Sequence, residues 1–579
     1  MKFRVFIVFL SFLSGNVFSQ KLGSEDTLLI TDRTFGTTQE LMHVMDGFSA
    51  SFFFQTQQSS PNPIELLKPG FTSFFTATNS KKPILFSALP HLGFGYGFGA
   101  QGSQVLRLDY EQFFTQNILL NLRYDRWQRS GFVRADDLRF SGLQVRLYQK
   151  GKAHELQLSF DNASDDRQWS GGIADYTQLN TIALELIPVL KEQSFTQKNS
   201  YNGTIDLRYR LLGDSLRRIN LASFHAYSLQ QRVYNEWGNL DLYYPETFLN
   251  VDSCIDTFRQ VYLDNRVGLS WEGSKLNVLA LLGVKQRQWS DPVFNYDTLE
   301  VNWNNKLVYA DKLHSFNHSN TINLIGADQG VNFNTKYVYS PTSTKIDFSI
   351  KHNYSHEWPQ LMQRGYLSNL TQYSWSNPQK EKFQLLEVGL GYATNPLSLS
   401  CFLSLLDFES VYRFDPSNMK WTNTATASKG QLAMIRTNLK YVIGPLNLSS
   451  SYQFLAQNNA QFLPKHRADL SLLWKGGLFK QKRLKMALEA QLSYQSSFQG
   501  LTFLPFIESI DWIATQNAAL QNGFMNAQFN VALEVKTFRF FVNVANLGSF
   551  WNAREVSVVQ GFTFAPMQVR IGLTWDFWN

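Results

Sequence analysis

Cysteine is nearly absent from the chain: Cys254 and Cys401 are the only two in 579 residues. One falls in a loop-like segment and the other inside a strand-like run, which excludes a disulfide framework as the source of stability. Beyond the amino terminus there is no uninterrupted apolar stretch of the roughly 20 residues that a membrane-crossing helix needs. A helical membrane protein is thereby excluded. No basic run is interleaved with aromatics, and a net charge of +7 from 53 basic and 46 acidic residues is modest, so nothing points to nucleic acid. A Gly-x-Ser-x-Gly nucleophile elbow is missing too, which leaves a hydrolase without its most recognisable turn.

The chain does have alternation. From Met567 to Phe577 every second side chain is apolar: Met567, Val569, Ile571, Leu573, Trp575 and Phe577 point one way, while Gln568, Arg570, Gly572, Thr574 and Asp576 point the other. A tilted membrane strand needs about 9–11 such residues, whereas soluble strands average about 5–6. The same theme recurs at Leu446–Phe454, Leu484–Tyr494, Met525–Val535 and Phe538–Val544, and earlier at Leu106–Tyr110, Ile118–Tyr124, Ile205–Leu211 and Leu397–Leu403. Short turns, such as those at Gly151, Gly213, Gly273, Pro341, Asn395-Pro396 and Gly444-Pro445, alternate with long polar loops. This is the pattern of an outer-membrane barrel.

Lys2 and Arg4 precede a short apolar run from Val5 to Leu13 and a small-residue exit at Val17-Phe18-Ser19. The spacing predicts a secretory signal peptide over 1–19 and export to the Gram-negative outer membrane. Residues 20–82 are then a periplasmic leader or a first hairpin, broken by Pro61, Pro63 and Pro69, and 83–579 form the barrel. The expected fold is all-β, a transmembrane antiparallel up-and-down β-barrel of about 18 strands, in a range of roughly 16 to 20. Thr181–Asn202 and Leu313–Phe333 resist assignment. Tyr110, Tyr124, Tyr209, Tyr452, Trp474, Tyr494 and Trp575 sit near the ends of alternating runs on the apolar phase, where an interfacial belt places them.

Gly572-Leu573-Thr574-Trp575-Asp576-Phe577-Trp578-Asn579, the strand end Phe541–Leu547, the Leu478-Phe479-Lys480 turn and the patches around Lys81-Lys82-Pro83, Leu106–Phe113 and Trp169–Ile173 carry a resemblance. Together they resemble the putative porin family of the Bacteroidetes outer membrane. The resemblance implies a pore and supplies no functional residue.

The strand phases put Arg107, Asp109, Glu111, Arg123, Asp125, Arg146, Asp206, Arg208, Arg210, Arg436, Lys440, Lys485, Glu489, Glu534, Arg539 and Arg570 on the polar side. These are the expected pore-lining residues, with arginine slightly outnumbering acid and hence a weak preference for anions. His314 with His318, and His352 with His356, have a spacing that binds zinc on a helix, but on a strand the pair is about 13 Å apart. No metal, cofactor or catalysis is expected. The predicted function is passive diffusion of small hydrophilic solutes, with outer-membrane lipid as partner, the barrel assembly machinery engaging the last strand, and possible homo-oligomers. A non-conducting barrel for adhesion or surface assembly is the alternative. Asp26-Thr27-Leu28-Leu29-Ile30-Thr31 resembles the box by which TonB-dependent transporters engage their energy-coupling partner. Only about sixty residues separate it from the first clear strand, too few for the plug that fills the large barrels of such transporters.

Overall fold

The computed structural model describes residues 64, 70–71 and 89–578, except 214–216, 239, 241–251, 291–294, 327–328, 342–343, 360, 369, 371–374, 377–378, 416–419, 424–427, 458–462, 480–482, 513–521, 553–558, 560 and 565. The signal-peptide segment and the Asp26–Thr31 box lie outside the described residues.

Among the described residues, 22 antiparallel strands form one closed barrel. In chain order they are β1 (His91–Gly99), β2 (Gln104–Thr115), β3 (Ile118–Arg129), β4 (Leu138–Lys150), β5 (His154–Gln168), β6 (Ser194–Gly213), β7 (Arg218–Trp237) and β8 (Ser253–Glu272). There follow β9 (Leu276–Ser290), β10 (Asn295–Ala310), β11 (His314–Ile325), β12 (Gly330–Tyr339), β13 (Ile346–Glu357), β14 (Glu381–Ala393) and β15 (Leu397–Glu409). The circuit ends with β16 (Gly430–Ile443), β17 (Leu446–Gln457), β18 (His466–Leu478), β19 (Leu484–Gln495), β20 (Phe524–Val535), β21 (Phe538–Ala545) and β22 (Gln568–Trp578). Each strand pairs with its neighbours in sequence, and the seam closes in antiparallel register from His91 opposite Trp578 to Gly99 opposite Arg570. The short turns and both ends of the barrel segment lie at one rim. The long loops lie at the other.

Side-chain alternation divides the wall into two faces. On β22, Val569 is 45% exposed and Arg570 2%, and this contrast repeats with Leu403 against Ser404 and Leu282 against Glu300 on neighbouring strands. The apolar set is outside and bare, while the polar set is inside and covered, the reverse of a soluble barrel. On β1 the inward positions after His91 are Gly93, Gly95, Gly97 and Gly99, so on the inner side of the seam the side chains come almost entirely from β22. His91 fills the lower end through a 2.7 Å contact with Asp576.

Turns at the short rim have local causes. Asp311 accepts from the Tyr309 hydroxyl at 2.7 Å and from the backbone N–H groups of Leu313 and His314 at 2.8 and 2.7 Å. These bonds, the Tyr309 hydroxyl first, hold its carboxyl down at about 2 and pin the turn between β10 and β11.

The strand number corrects the expectation of about 18. Leu313–Phe333, which resisted assignment, is largely β11 and the start of β12, and the polar stretch 295–305, loop-like in sequence, belongs to β10. The outward residues of β11 include His314, His318 and Asn320, and those of β10 include Asn305, so the apolar signal is diluted on just these strands. Three connections at the long-loop rim, 100–103, 291–294 and 326–329, are as short as the turns opposite. Sorting connections by length therefore undercounts hairpins. Likewise β7 and β8 run to Trp237 and from Ser253, which places Cys254 in a strand and buried rather than in a loop. Gly70–Phe71 pairs with Ser509–Ile510, outside the barrel sheet; the rest of 20–82 apart from Ile64 lies outside the described residues.

Replacing the outward Leu403 by arginine should cost about 2–4 kcal/mol in a lipid bilayer, the range for a cation at mid-depth on a barrel's lipid face. Denaturant unfolding in vesicles, followed by heat-modifiable gel migration, measures it.

Candidate functional site: the lumen and its outer cap

The inner face is lined by groups that satisfy one another. Asp125 on β3 accepts from Arg107 Nε at 2.6 Å and from Arg123 Nε at 2.7 Å, all three buried. Register explains the first contact, since Arg107 and Asp125 are directly opposed across β2 and β3. Asp109 and Arg146 continue this wall and are also buried. On the far side of the seam, Arg570 takes Gln568 Oε1 at 2.7 Å and Asn543 Oδ1 at 3.3 Å. Arg539 pairs with Glu534, which also holds Lys485 at 3.1 Å. Glu489 accepts from Ser471 at 3.0 Å, Gln491 at 2.7 Å and Asn530 at 3.1 Å. Arg436 lies 3.9 Å from Glu387 and over the Phe402 ring. Arg208, 46% exposed near the short-turn rim, lies 3.7 Å from Glu272 and 3.9 Å from Asp206.

Arg107, Asp109, Arg123, Asp125, Arg146, Arg208, Arg436, Lys485, Glu489, Arg539 and Arg570 thus all sit on the inner face. They belong to separate groups: one on β2–β4, one on β19–β22, with Arg208 and Arg436 apart. Across from them, the inner face of β11 is amide and hydroxyl, and on β10 Asn304 is bonded to Asn302 and accepts from Thr321 at 3.0 Å.

The outer end is covered by the chain's own loops. Leu501–Leu504 and Ser509–Trp512 form an antiparallel hairpin in the loop between β19 and β20. Its residues Leu501, Phe503, Leu504, Phe506 and Ile507 are buried in an apolar cluster with strand-end residues such as Tyr234, Phe258, Phe383, Phe408 and Met434. Loops hold the hairpin from several sides. Trp169 packs on Phe503 at 4.6 Å, Tyr366 on Phe506 at 5.8 Å and Phe562 on Phe503 at 6.0 Å between ring centres. Val559 bridges Leu501 in parallel. Gly70–Phe71 adds a strand to the free edge at Ser509–Ile510, and Ile64 joins the same apolar cluster.

At the hairpin tip Glu508 adopts a left-handed φ of 51° and is buried. Its carboxylate pairs with Lys198 on β6 and lies 3.6 Å from Arg232 on β7. Lys198, Arg232 and Glu508 are absent from the sequence-based set. Leu501-Thr502-Phe503-Leu504-Pro505-Phe506-Ile507 was the available signal: a loop so apolar has to be packed away from water.

His314 and His318 share β11, and His352 and His356 share β13, all on the outward face. His314 meets Tyr337 and His318 meets Thr335, each at 2.8 Å. Strand spacing keeps the two members of each pair apart.

A family model described as "Putative porin" matches residues 90–579. The chain belongs to the putative porin family. No curated protein matches it by sequence. Among solved structures, the copper transporter OprC is similar, with TM-score 0.60, 9% identity and coverage of 84% of this chain and 80% of that one. The FrpB iron transporter from Neisseria meningitidis gives TM-score 0.60 and 10% identity over 84% and 82% of the two chains. The ferric-catecholate import receptor Fiu from E. coli gives 0.58 and 12% over 84% and 82%. At such identities the likeness is one of fold, a large outer-membrane barrel, and it agrees with the strand count. Family and fold together place this porin-family chain in the outer membrane.

Asp125→Asn should destabilise the barrel by about 3 kcal/mol, because it removes the charge shared by two buried guanidinium groups. Asp206→Asn, a half-exposed carboxylate near the short-turn rim, provides the reference in denaturant unfolding from detergent.

Proposed function

We propose that this barrel is a gated passage for small hydrophilic solutes, closed at the outer end by its own loops. One observation carries the reading: a charged and amide-rich inner face runs beneath a cap that, among the described residues, is made of loop segments and the short amino-terminal strand Gly70–Phe71. Buried charge is costly unless paired, and a barrel with no need of a wet interior would fill more cheaply with apolar side chains. Diffusion requires no chemistry from the wall, and porin-family membership together with transporter-like barrels supports a non-enzymatic role. The lumen-side set from Arg107 to Arg570 is proposed as the lining that solutes meet once the cap moves, after export through the predicted signal peptide.

Compared with a permanently open porin, the reading adds a gate, because Phe503, Phe506 and Ile507 fill the outer end. A second reading is favoured by the strand added by Gly70–Phe71. It links the amino-terminal segment to the hairpin, as an energy-coupled importer would require, and the neighbours in fold are named as transporters and an import receptor. The adhesion or assembly scaffold is favoured by the interlocked loops alone.

Planar-bilayer recording separates these readings. The full chain should show a low resting conductance with brief openings, and a variant with residues 500–512 replaced by a short Gly-Ser linker should conduct steadily. Silence from both, with heat-modifiable migration intact, would leave the scaffold standing. A linker variant that conducts beside a full chain that never opens would favour the importer.

A further inference from the structure

Register brings four charged side chains together on the inner wall below the cap. Asp165 on β5 is directly opposite Lys198 on β6, which is directly opposite Arg232 on β7. Arg167, two residues beyond Asp165, lies 3.7 Å from it and over the Trp169 ring. Beside Arg167, Arg129 and Asp136 form their own ion pair at 3.1 Å; a further acid is Asp256 on β8, whose carboxylate accepts from the Tyr366 and Ser368 hydroxyls at 2.6 and 2.7 Å. Higher on the wall, Glu236 and Lys191 pair with each other at 2.6 Å. The wall therefore presents three cations against two acids, and the surplus positive charge is cancelled by Glu508 from the hairpin tip.

Glu508 is the one member of the group that the wall does not supply. Its carboxylate is held by Lys198 and Arg232, whose side chains are 11% and 7% exposed. It is already seated as a dissolved carboxylate would be, in a place where little water competes. Withdrawal of the hairpin would leave both cations facing the lumen with only the wall acids, Asp165 opposite Lys198 among them, against three positive charges, and partly desolvated cations in excess draw anions strongly. Glu508 is thus both a latch for the cap and a stand-in for a ligand.

We infer that Lys198 and Arg232 form a carboxylate-binding site at the outer end of the lumen, filled by Glu508 in the closed state and open to competition from small carboxylated solutes. The inference rests on the gated-passage reading for its role in transport, but the competition can be measured on a barrel that carries no current. A solute carboxylate that binds the pair displaces Glu508 and loosens the hairpin. The passage would then open to the class of solute that its own gate imitates.

Backbone hydrogen exchange across 501–512, read on the full chain in detergent with succinate as probe and sodium chloride at equal ionic strength as control, tests this. Succinate should accelerate exchange saturably, by about five-fold or more, the lower bound for ordinary coupling between ligands of one site. Glu508→Gln should exchange fast without succinate. Lys198→Gln and Arg232→Gln, checked for intact barrels by heat-modifiable migration, should also exchange fast and lose the succinate response. If either variant fails to assemble, the comparison of wild type with Glu508→Gln still decides. An acceleration by succinate no greater than that by chloride, or a response surviving in both cation variants, would overturn the site. Loss of current from the linker variant would instead strike the passage and leave the exchange result standing.

Discussion

Inside a bilayer no water is available to a backbone N–H or C=O, and each unpaired group costs several kcal/mol. The continuous ladder of strand pairs, joined where β1 meets β22, meets that constraint, and the remaining features follow from it. With both edges of every strand consumed, the one freedom left to a residue is which face it serves. Leucine, valine and aromatics go outward to lipid, and what remains goes inward. Polar groups gathered inside must then find partners among themselves, which is why Asp125 lies between two arginines and Glu489 collects three donors.

A cylinder of this many strands is wider than its own wall residues can fill. In small barrels side chains suffice, and in larger ones the chain must bring material in from elsewhere or leave a water-filled bore. Here the material is loop. The cap is apolar where it meets the strand ends and ionic at the hairpin tip, so different forces hold its two parts. Hydrophobic contact secures the dome, and one carboxylate among cations secures the tip. Because the cap joins the wall through side chains and through few backbone pairs, it is the part of the molecule able to move without breaking the ladder.

Much of this was legible beforehand. The phase of β22 follows from alternation alone, and the inner placement of Arg107, Arg539 and Arg570 follows from the phase. The strand count was not legible, for a definite reason: β10 and β11 turn Asn305, His318 and Asn320 toward the outside, where the alternation signal needs leucine or valine. The glycine-rich β1 hides for a related reason, since glycine registers neither as polar nor as apolar. Nor could the charged group below the cap be read, because Glu508 and Lys198 are more than three hundred residues apart and local pattern says nothing about which loop folds inward.

The bare inner side of β1 has a mechanical side. Where Gly93, Gly95, Gly97 and Gly99 face the interior, β1 is one layer of atoms thinner, and the inward side chains of β22, Arg570 opposite Gly99 and Asp576 opposite Gly93 among them, meet no facing side chain across the join. Glycine also contributes no lateral packing of its own. On its inner face the join is therefore packed by one strand's side chains alone, and room is left on the other for them to lie flat.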